Sequence, residues 1–528
     1  MTKEGNKISH LRVLFSVKNP EYVRHYVSVL RTLAARGHQV ELAKQSSRHA
    51  WPPFVVGLAA ENPNIHLSTM PDVAGNPWWE LATRLRQARL YLRYVEPLNR
   101  STTGLLERAR KRSPAIAVRL ADVLGSMEGG RRLLRRAVDL LEQATRSAAL
   151  FHSYLGRQRP DIVVLTPLVV LKTAQFDLGR AAAELGVRNV FAVASWDHLS
   201  SKGVLTFAPQ RVFVWNDTLK QEAIALHGVP ADRVVVAGAQ VFDDWFGRTP
   251  ASTREEFCQR VGLRHDRPIV LYVCSSLLES SPPEAPFVLK WARELRRSAY
   301  PVLQDCGLLV RPHPRRGREW RKVELTTIAN AVCWPPAGEL PTDPQSKTDY
   351  FDSLYHADAV VGLNTSAMIE AAILGRPVHT VLLPEFRESQ EETVHFHYLL
   401  GGPDALLRSS RSLGEHARDL AAVLEHGDSE RERSARFVRT FVRPCGLEVP
   451  AATVLVDALE ATARAPAPAR ERAPLWTSIV RPLLWPFAAA AARRVRRIRE
   501  EHRSRKHAAL AEHRRRKAAA AVDNMTVQ

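Results

Sequence analysis

The segment from 358 to 378 combines residue types and a spacing that suit the binding of a phosphate group and a neighbouring sugar ring. An apolar stretch predicted to be a strand leads into Asn364-Thr365-Ser366, which opens a predicted helix. Backbone N–H groups at such an opening, together with two hydroxyls, can hold an anion. Glu370, one turn further on, can accept hydrogen bonds from ribose hydroxyls. In the alternative interpretation, Thr365 and Ser366 only cap the helix and Glu370 is a solvated acid.

A second candidate segment lies at 308–317, where a predicted strand runs into Arg-Pro-His-Pro-Arg-Arg-Gly. The prolines stiffen the loop and are expected to place Arg311 and His313 at its mouth. A guanidinium and an imidazole together suit a diphosphate, because they neutralise charge on a departing group. The alternative is a basic surface loop, and we assign Arg315 and Arg316 to that description.

Four further residues are weaker candidates for the same binding site. Ser275 and Ser276 follow a predicted strand and are expected either to touch phosphate or to form a polar turn. Gly238 permits close approach of the backbone to another group. Asp243 is expected either to orient a substrate or to cap a helix at a hinge between domains.

A general base is a further group of catalytic interest, and two short segments offer one. The loop after the strand at 190–194 contains Asp197 and His198, either of which could act as a general base, and Lys202, which could meet a phosphate. Glu21 and His25, at the start of the first predicted helix, are rival bases. The alternatives are a turn in which Asp197 caps the next segment, and a packed or surface histidine at position 25.

The elements that position these residues alternate between strands and helices. A strand at 11–15, a helix over about 21–35 and a strand at 39–43 form a parallel βαβ unit. The pattern predicts an α/β fold of two doubly wound, Rossmann-like domains that face a cleft, with ligands at the carboxyl ends of the strands. We place the first domain at 1–240 with a helical insertion at about 76–158, the second at 241–461, and a linker with a basic helical tail at 462–528.

Composition narrows the class of protein further. The chain has 528 residues, 25 % charged and 45 % hydrophobic, which excludes collagen-like, mostly disordered and small disulfide-rich proteins. The net charge of +20 is concentrated in two segments: 84–159 holds 17 basic and 6 acidic residues, and 464–528 holds 16 and 5. Five scattered cysteines, no recognisable signal peptide and no long apolar run predict free thiols and a cytosolic location.

The basic tail is predicted to be an interfacial membrane anchor. Trp476, Trp485 and Phe487 lie beside Arg481 and precede an arginine-rich helix. Aromatic rings settle at the headgroup level of a bilayer while basic side chains meet anionic lipids. The alternatives are a disordered tail and an arm that binds nucleic acid, of which the nucleic-acid role is the least favoured. The expected location is therefore peripheral, on the inner face of the membrane.

Taken together, the strand with Arg-Pro-His-Pro, Asn-Thr-Ser with its glutamate, and Leu-Gly-Arg-Pro at 374–377 resemble the donor half of two-Rossmann (GT-B) glycosyltransferases. The resemblance is nearest to bacterial capsule and teichoic-acid enzymes, including CDP-glycerol glycerophosphotransferases. It implies that His313, Thr365 and Ser366 bind the nucleotide phosphates and that Glu370 binds the ribose. It also implies no metal at Asp243-Asp244 and no cofactor beyond the nucleotide-activated donor.

The resemblance implies transfer of a sugar, or of glycerol phosphate, to a surface polysaccharide or a lipid-linked acceptor. UDP-GlcNAc 2-epimerases share part of the pattern but open the helix with Ser-Gly-Gly, from which Thr365-Ser366 departs. An enzyme similar to those epimerases is therefore the first alternative. The second is a non-catalytic protein that binds a membrane or nucleic acid.

Overall fold

The computed structural model describes residues 10–46, 49–96, 102–145, 149–320, 323, 325–402, 404–426 and 428–526. These residues form two separate sheets in which every strand pair is parallel. The first sheet has the order β3-β2-β1-β4-β5-β6-β7. Its strands are β1 (Arg12–Val17), β2 (Gln39–Lys44), β3 (Ile65–Thr69), β4 (Ile162–Thr166), β5 (Arg188–Ala192), β6 (Arg211–Val214) and β7 (Val234–Val236).

The second sheet has six strands in the order β10-β9-β8-β11-β12-β13. Its strands are β8 (Ile269–Val273), β9 (Gly307–Arg311), β10 (Ala331–Cys333), β11 (Ala359–Gly362), β12 (Val378–Val381) and β13 (Arg408–Ser410). In each sheet the strand order reverses beside the first strand, β1 or β8, which is where doubly wound folds bind ligands. The prediction of two Rossmann-like sheets is confirmed.

Helices connect the strands and continue beyond each sheet. The helices up to the end of the first sheet are α1 (Val27–Ala35), α2 (Pro53–Glu61), α3 (Pro77–Tyr94), α4 (Thr103–Arg112), α5 (Ala115–Leu124), α6 (Glu128–Gln143), α7 (Ala149–Gln158), α8 (Gln175–Leu185), α9 (His198–Ser201) and α10 (Asp217–His227). Those that follow are α11 (Asp243–Phe246), α12 (Arg254–Val261), α13 (Glu284–Arg297), α14 (Pro301–Asp305), α15 (Pro344–Tyr355), α16 (Ala367–Ile373), α17 (Val394–Leu400), α18 (Leu413–His426), α19 (Asp428–Phe437), α20 (Ala451–Arg464) and α21 (Trp476–Thr526).

The strands form because their side chains are buried on both faces. In β1, Val13 and Phe15 belong to one apolar cluster while Leu14 belongs to another, on the opposite side of the sheet. A near-continuous apolar run is typical of a parallel strand that is covered on both faces.

The first predicted helix, over about 21–35, is interrupted. A 3₁₀ turn occupies Pro20–His25, and α1 begins only at Val27. The break falls at Tyr26, which has a φ of −135° and a buried ring whose hydroxyl donates to the Ala192 carbonyl at 2.8 Å. The turn after β1 is therefore a separate element, and it carries side chains into the cleft.

The two sheets share one continuous core. A single cluster of buried residues runs from β4 and β5 of the first sheet to β8 and α16 of the second. After the second sheet the chain returns: Leu455 and Val456 of α20 pack in the same cluster as Val13 of β1. The structure thus differs from the predicted division, which gave all of 241–461 to the second domain, because the apolar face of α20 is buried against the first sheet.

The helical insertion, α3 to α7, is attached to the first sheet through its longest buried helix. Within α3, the Arg86 guanidinium lies 2.7 Å from Glu142 of α6 and 3.1 Å from Asp177 of α8. All three side chains are almost fully buried. A buried cation between two buried carboxylates fixes the orientation of α3, because removal of the arginine leaves both carboxylates without their shared counter-ion.

The tail begins as part of this helical layer. α21 packs along α3, with the rings of Trp78 and Trp485 5.7 Å apart and the Arg481 guanidinium donating to the Ala144 carbonyl at 3.0 Å. No helix within the described residues is both long and apolar enough to cross a membrane. The five cysteines are free thiols, three of them buried.

Candidate functional site

The loops at the carboxyl ends of the two sheets meet across a cleft. From the first domain come the turn after β1 and the loop after β5; from the second come the loops after β9 and β11. The indole N–H of Trp196 donates to the Ser366 hydroxyl at 3.2 Å, and its ring lies 4.8 Å from that of His395. The two halves of the predicted site are therefore in direct contact.

The Asp197 carboxylate is held by hydrogen bonds and an ion pair within its own loop. Its carboxylate accepts hydrogen bonds from the hydroxyls of Ser195 (2.6 Å) and Ser201 (2.9 Å), and lies 3.0 Å from the Lys202 ammonium. Burial alone raises the pKa of Asp197, but the Lys202 cation and the neighbouring histidines outweigh it, so the pKa lies well below its usual range. Asp197 therefore stays ionised and holds the loop, and Lys202 is its counter-ion.

His198 is better placed than Asp197 to take a proton. Its Nε2 faces an Asp197 carboxylate oxygen at 4.0 Å, whereas its buried Nδ1 has no hydrogen-bond partner within the described part of the chain. Burial lowers the pKa of His198 to about 4, so the ring is neutral at pH 7. A neutral imidazole whose second nitrogen faces a carboxylate has the form of a general base.

The rival bases at the start of the first domain are less suitable. His25 lies in the same cluster, with Tyr22 packed 5.8 Å from its ring and 6.2 Å from the ring of His198. The Arg24 guanidinium donates to His25 Nε2 at 3.3 Å, which occupies that lone pair. Burial lowers the pKa of His25 well below its ordinary value. Glu21 is exposed on the same turn.

His313 is oriented as a hydrogen-bond donor in the second domain. Its Nδ1 accepts the backbone N–H of Arg315 at 3.2 Å, which leaves the proton of the neutral ring on Nε2. Burial, followed by the nearby Arg315 and Arg24 cations, lowers the pKa of His313 to about 4. Arg24 comes from the first domain and Arg315 from the second, so cations of both domains act on one histidine.

These arginines differ from their neighbour in having no acidic partner. Arg316 forms an ion pair with Glu319, whereas neither Arg24 nor Arg315 has an ion-pair partner among the residues that the structure describes. Arg315, which the sequence assigned to a plain surface loop, is therefore a candidate ligand for an anion. Together with His313, the two form what we call the cationic cluster.

Glu370 lies beside this cluster on α16. The Tyr350 hydroxyl hydrogen-bonds to one oxygen of its carboxyl group. Burial raises the pKa of Glu370 to about 7, while the Tyr350 hydrogen bond and the charge of Arg24 act in the opposite direction. The Tyr350 hydroxyl donates to Oε2, so Oε1 is the oxygen that can accept a hydrogen bond from a hydroxyl group of a ligand.

Arg311 does not lie at the mouth of the loop, where the sequence placed it. Its guanidinium is buried, donates to the Ser353 hydroxyl at 2.7 Å, and lies over the rings of Trp334 (5.2 Å) and Tyr350 (5.3 Å). Burial lowers its pKa to about 10. Arg311 thus packs against the ring of Tyr350, and the Tyr350 hydroxyl in turn hydrogen-bonds to Glu370.

The loop after β11 is shaped by hydrogen bonds that do not involve a ligand. The buried Ser275 hydroxyl accepts the backbone N–H of Asn364 at 3.0 Å, and the Asn364 amide donates to the Ser389 carbonyl at 2.6 Å. Thr365 accepts the Ala367 N–H at 3.5 Å, a weak cap. Ser366 and Ser276 are exposed, and Ser366 makes no capping bond.

Gly238 and Asp243 belong to the joint between the domains. Gly238 has a φ of +87°, and a Cβ there would lie 2.8 Å from the Cβ of Ala451. The Asp243 carboxylate accepts the N–H groups of Ala451 (2.9 Å) and Ala452 (2.8 Å) and pairs with Arg443 at 3.0 Å. The capping alternative therefore describes Asp243: it caps α20, and both of its carboxylate oxygens already accept hydrogen bonds. The described residues contain no group of acids, histidines and cysteines that could hold a metal.

Sequence reasoning missed three features of the site. His395 on α17 is buried beneath Trp196, with its Nε2 3.4 Å from the Asn364 amide nitrogen. Arg24 is recognisable only once the turn after β1 faces β9. The helical insertion contributes as well, because Arg93 donates to the carbonyls of Leu199 (2.9 Å) and Ser200 (3.0 Å) and so holds α9. The pattern His-Phe-His at 395–397 is the one local signal that was available.

No protein-family model and no curated protein matches the sequence. Among solved structures, a Listeria monocytogenes protein described as a UDP-N-acetylglucosamine 2-epimerase is 12 % identical, with a TM-score of 0.52 over 88 % of this chain and 99 % of its own. A UDP-GlcNAc 2-epimerase from Neisseria meningitidis, solved with UDP-GlcNAc bound, is 12 % identical (TM-score 0.49, 85 % and 99 % covered). A glycosyltransferase from Rickettsia africae is 10 % identical (TM-score 0.47, 87 % and 100 % covered).

The first of these similarities and the strand order define the class of fold. The chain has the GT-B architecture of two Rossmann-like domains around a cleft. At 12 % identity the similarity shows the fold alone, so the function is argued from the side chains of the cleft.

Proposed function

We propose that this protein is a GT-B glycosyltransferase that binds a nucleotide-activated sugar in the cleft and transfers the sugar to a hydroxyl of a glycan or lipid-linked acceptor. The observation that carries the proposal is the cationic cluster: Arg24 and Arg315, from opposite domains, both act on His313. Guanidiniums that form no ion pair within the described residues, together with an N–H donor, are groups that can stabilise a departing diphosphate.

The nucleotide lies against the second domain in this proposal. Glu370 Oε1 accepts hydrogen bonds from the ribose hydroxyls. The phosphates are bound by His313 Nε2–H, Arg24 and Arg315. Ser366 and Thr365 line the same loop and add hydroxyl donors. Arg311 keeps the position beneath Tyr350 that the structure gives it.

The acceptor approaches from the first domain, where His198 acts as general base. The acceptor oxygen forms a bond to the anomeric carbon as the bond from that carbon to the diphosphate oxygen breaks. The acceptor proton passes to the neutral imidazole of His198, and the electron pair leaves with the diphosphate beside Arg24 and Arg315. A bound anionic donor raises the low pKa of His198 toward the range in which a general base is effective.

The finer aspects of the proposal concern the donor, the acceptor and the location. Transfer of glycerol phosphate in place of a sugar uses the same phosphate contacts, and a surface polysaccharide of the capsule or teichoic-acid type is the proposed product. The reaction is placed in the cytoplasm, at the inner face of the membrane, with the basic tail as the anchor.

A nucleotide screen tests the donor site first. The purified protein is heated with CMP, CDP, UDP or GDP, and at least one diphosphate is expected to raise the melting temperature. His313→Ala is expected to lose most of that shift, whereas the matched variant His265→Ala, at an exposed histidine before β8, keeps it. Equal shifts in both variants would remove His313 from the donor site.

Two reactions then separate the alternatives. The protein is incubated with the sugar conjugate of the nucleotide that binds, with and without a lipid extract as the source of acceptors. Release of nucleotide that requires the extract and is abolished by His198→Ala supports transfer. Conversion of UDP-GlcNAc to its 2-epimer without an acceptor identifies an epimerase, and binding of no nucleotide indicates a non-catalytic protein.

A further inference from the structure

The start of the tail and the helical insertion form one structural unit, which we call the helical layer (α3 to α6 and residues 475–499 of the tail). α21 packs along α3, and its Ala488, Ala491 and Ala492 are buried in that contact. α6 packs on α3 as well, and α5 on α6. The tail is therefore held against the insertion at its start, so the outward faces of both belong to one body.

The tail presents an apolar stripe to solvent. Leu475, Ile479, Leu483 and Phe487 recur every four residues, and each is 65–90 % exposed. A four-residue spacing keeps side chains on one side of a helix. The next turns of α21 expose arginines at 493, 494, 496 and 497, together with Ile498.

The insertion presents a second stripe of the same kind on α5. Ile116, Leu120 and Val123 follow the spacing i, i+4, i+7 and are 70 %, 44 % and 70 % exposed, with Met127 exposed in the turn that follows. Arg119 is exposed on the same helix. α6 adds further exposed residues of both kinds: Arg132, Leu133, Arg136 and Leu140.

Two features of this surface identify the partner that fits it. Scattered apolar residues are normal on a protein surface, but two helical stripes on one body mark an interaction site. The segments that carry them also hold the entire excess of positive charge, with 17 basic residues to 6 acidic at 84–159 and 16 to 5 at 464–528. Apolar side chains flanked by arginines complement a bilayer with anionic headgroups, whereas a nucleic acid would use the arginines alone.

We propose that the stripes on α5 and α21 form a single lipid-docking surface for an anionic bilayer, so that the insertion and the tail both enter the headgroup region. The tail alone is then an incomplete anchor. The layer also contacts the cleft, because Arg93 of α3 and Arg108 of α4 donate to carbonyls of α9. This proposal does not depend on the chemistry in the cleft, since binding to vesicles needs no donor.

Flotation of the full chain with vesicles tests the surface. The vesicles are phosphatidylcholine alone or phosphatidylcholine mixed with phosphatidylglycerol. The variants are Ile116→Ser with Val123→Ser on the insertion, and Ile479→Ser with Leu483→Ser on the tail. Val56→Ser with Val449→Ser is the matched control, because both valines are exposed (50 % and 39 %) and lie outside the helical layer. An unchanged melting temperature shows that each variant folds.

The expected result is binding to the mixed vesicles that weakens with salt, with a loss of about tenfold or more in each test variant and no loss in the control. Insertion variants that bind like the natural protein would overturn the two-part surface and leave the tail as the anchor. Equal binding to neutral vesicles, or displacement of vesicles by an RNA oligonucleotide, would overturn the assignment to an anionic bilayer.

Discussion

Replacement of Arg86 by methionine tests how strongly the helical insertion is fixed to the first domain. The Arg86 guanidinium lies between the carboxylates of Glu142 (2.7 Å) and Asp177 (3.1 Å), and the exposed fractions of the three side chains are 4 %, 1 % and 0 %. Methionine keeps the volume of the side chain but removes its charge. Two buried carboxylates then lose their main counter-ion.

The magnitude follows from the burial. Breaking a buried ion pair by removing one partner costs about 3–5 kcal/mol. Arg180 remains 3.4 Å from Glu142 and offsets part of the loss. We therefore expect Arg86→Met to lower the free energy of unfolding by about 3 kcal/mol. In a domain of about 150–250 residues, a loss of 1 kcal/mol in the free energy of unfolding lowers the melting temperature by about 2–4 °C. The melting temperature of Arg86→Met should therefore fall by about 6–12 °C.

The assay is thermal unfolding followed by circular dichroism, with Arg110→Met as the control. Arg110 pairs with Asp122 at 2.9 Å, but both side chains are about half exposed, so its loss should cost about 0.5 kcal/mol or less. The double variant Arg86→Met, Asp177→Leu should recover part of the loss. If Arg86→Met and Arg110→Met shift the melting temperature equally, the reasoning from burial is refuted.

Three further predictions concern the cleft and the core. Arg24→Ala and Arg315→Ala should each weaken diphosphate binding by about 10-fold or more, because each removes a charge-assisted contact of about 1.5–3 kcal/mol. Calorimetry with the nucleotide that binds checks this prediction. The control is Arg297→Ala, at an exposed position on α13. Donor affinity should rise with pH through about 7 as Glu370 ionises, and Glu370→Gln should flatten that dependence; a pH-independent natural protein would contradict the assignment. Burial lowers the pKa of His416 to about 4, below its unfolded value of about 6.5, so stability should fall as the pH drops from about 6.5 toward 4, and His416→Leu should resist acid better than His265→Leu in urea titrations.

The sequence was informative wherever a residue's environment follows from its neighbours in the chain. The strands were predictable because strands buried on both faces are continuous apolar runs, as at 269–273. The loops after β5, β9 and β11 were recognisable as site loops because the carboxyl ends of parallel strands lie at one edge of a sheet. His313 and Glu370 lie on the loop after β9 and on the helix after β11, and their roles stay a prediction.

The sequence was uninformative where a side chain's partner is distant along the chain. Arg311 was expected at the mouth of its loop, but it turns inward toward Ser353 and Tyr350. Asp243 caps a helix that begins more than two hundred residues later. Nothing near position 24 shows that this arginine approaches His313.

The sequence by itself determined the α/β alternation, the two sheets, the loops that line the cleft and the concentration of charge in the insertion and tail. Local composition and periodicity suffice for these features, because they follow from which side chains must be buried. Only the tertiary structure decided which polar groups are already paired. It commits Asp197 to Lys202 and Asp243 to α20, and it places the cations of Arg24 and Arg315 near His313, with no ion-pair partner for either arginine among the described residues. The physical reason is that a buried or clustered charge is defined by what surrounds it in space, and in two of these three cases the partners are distant along the chain.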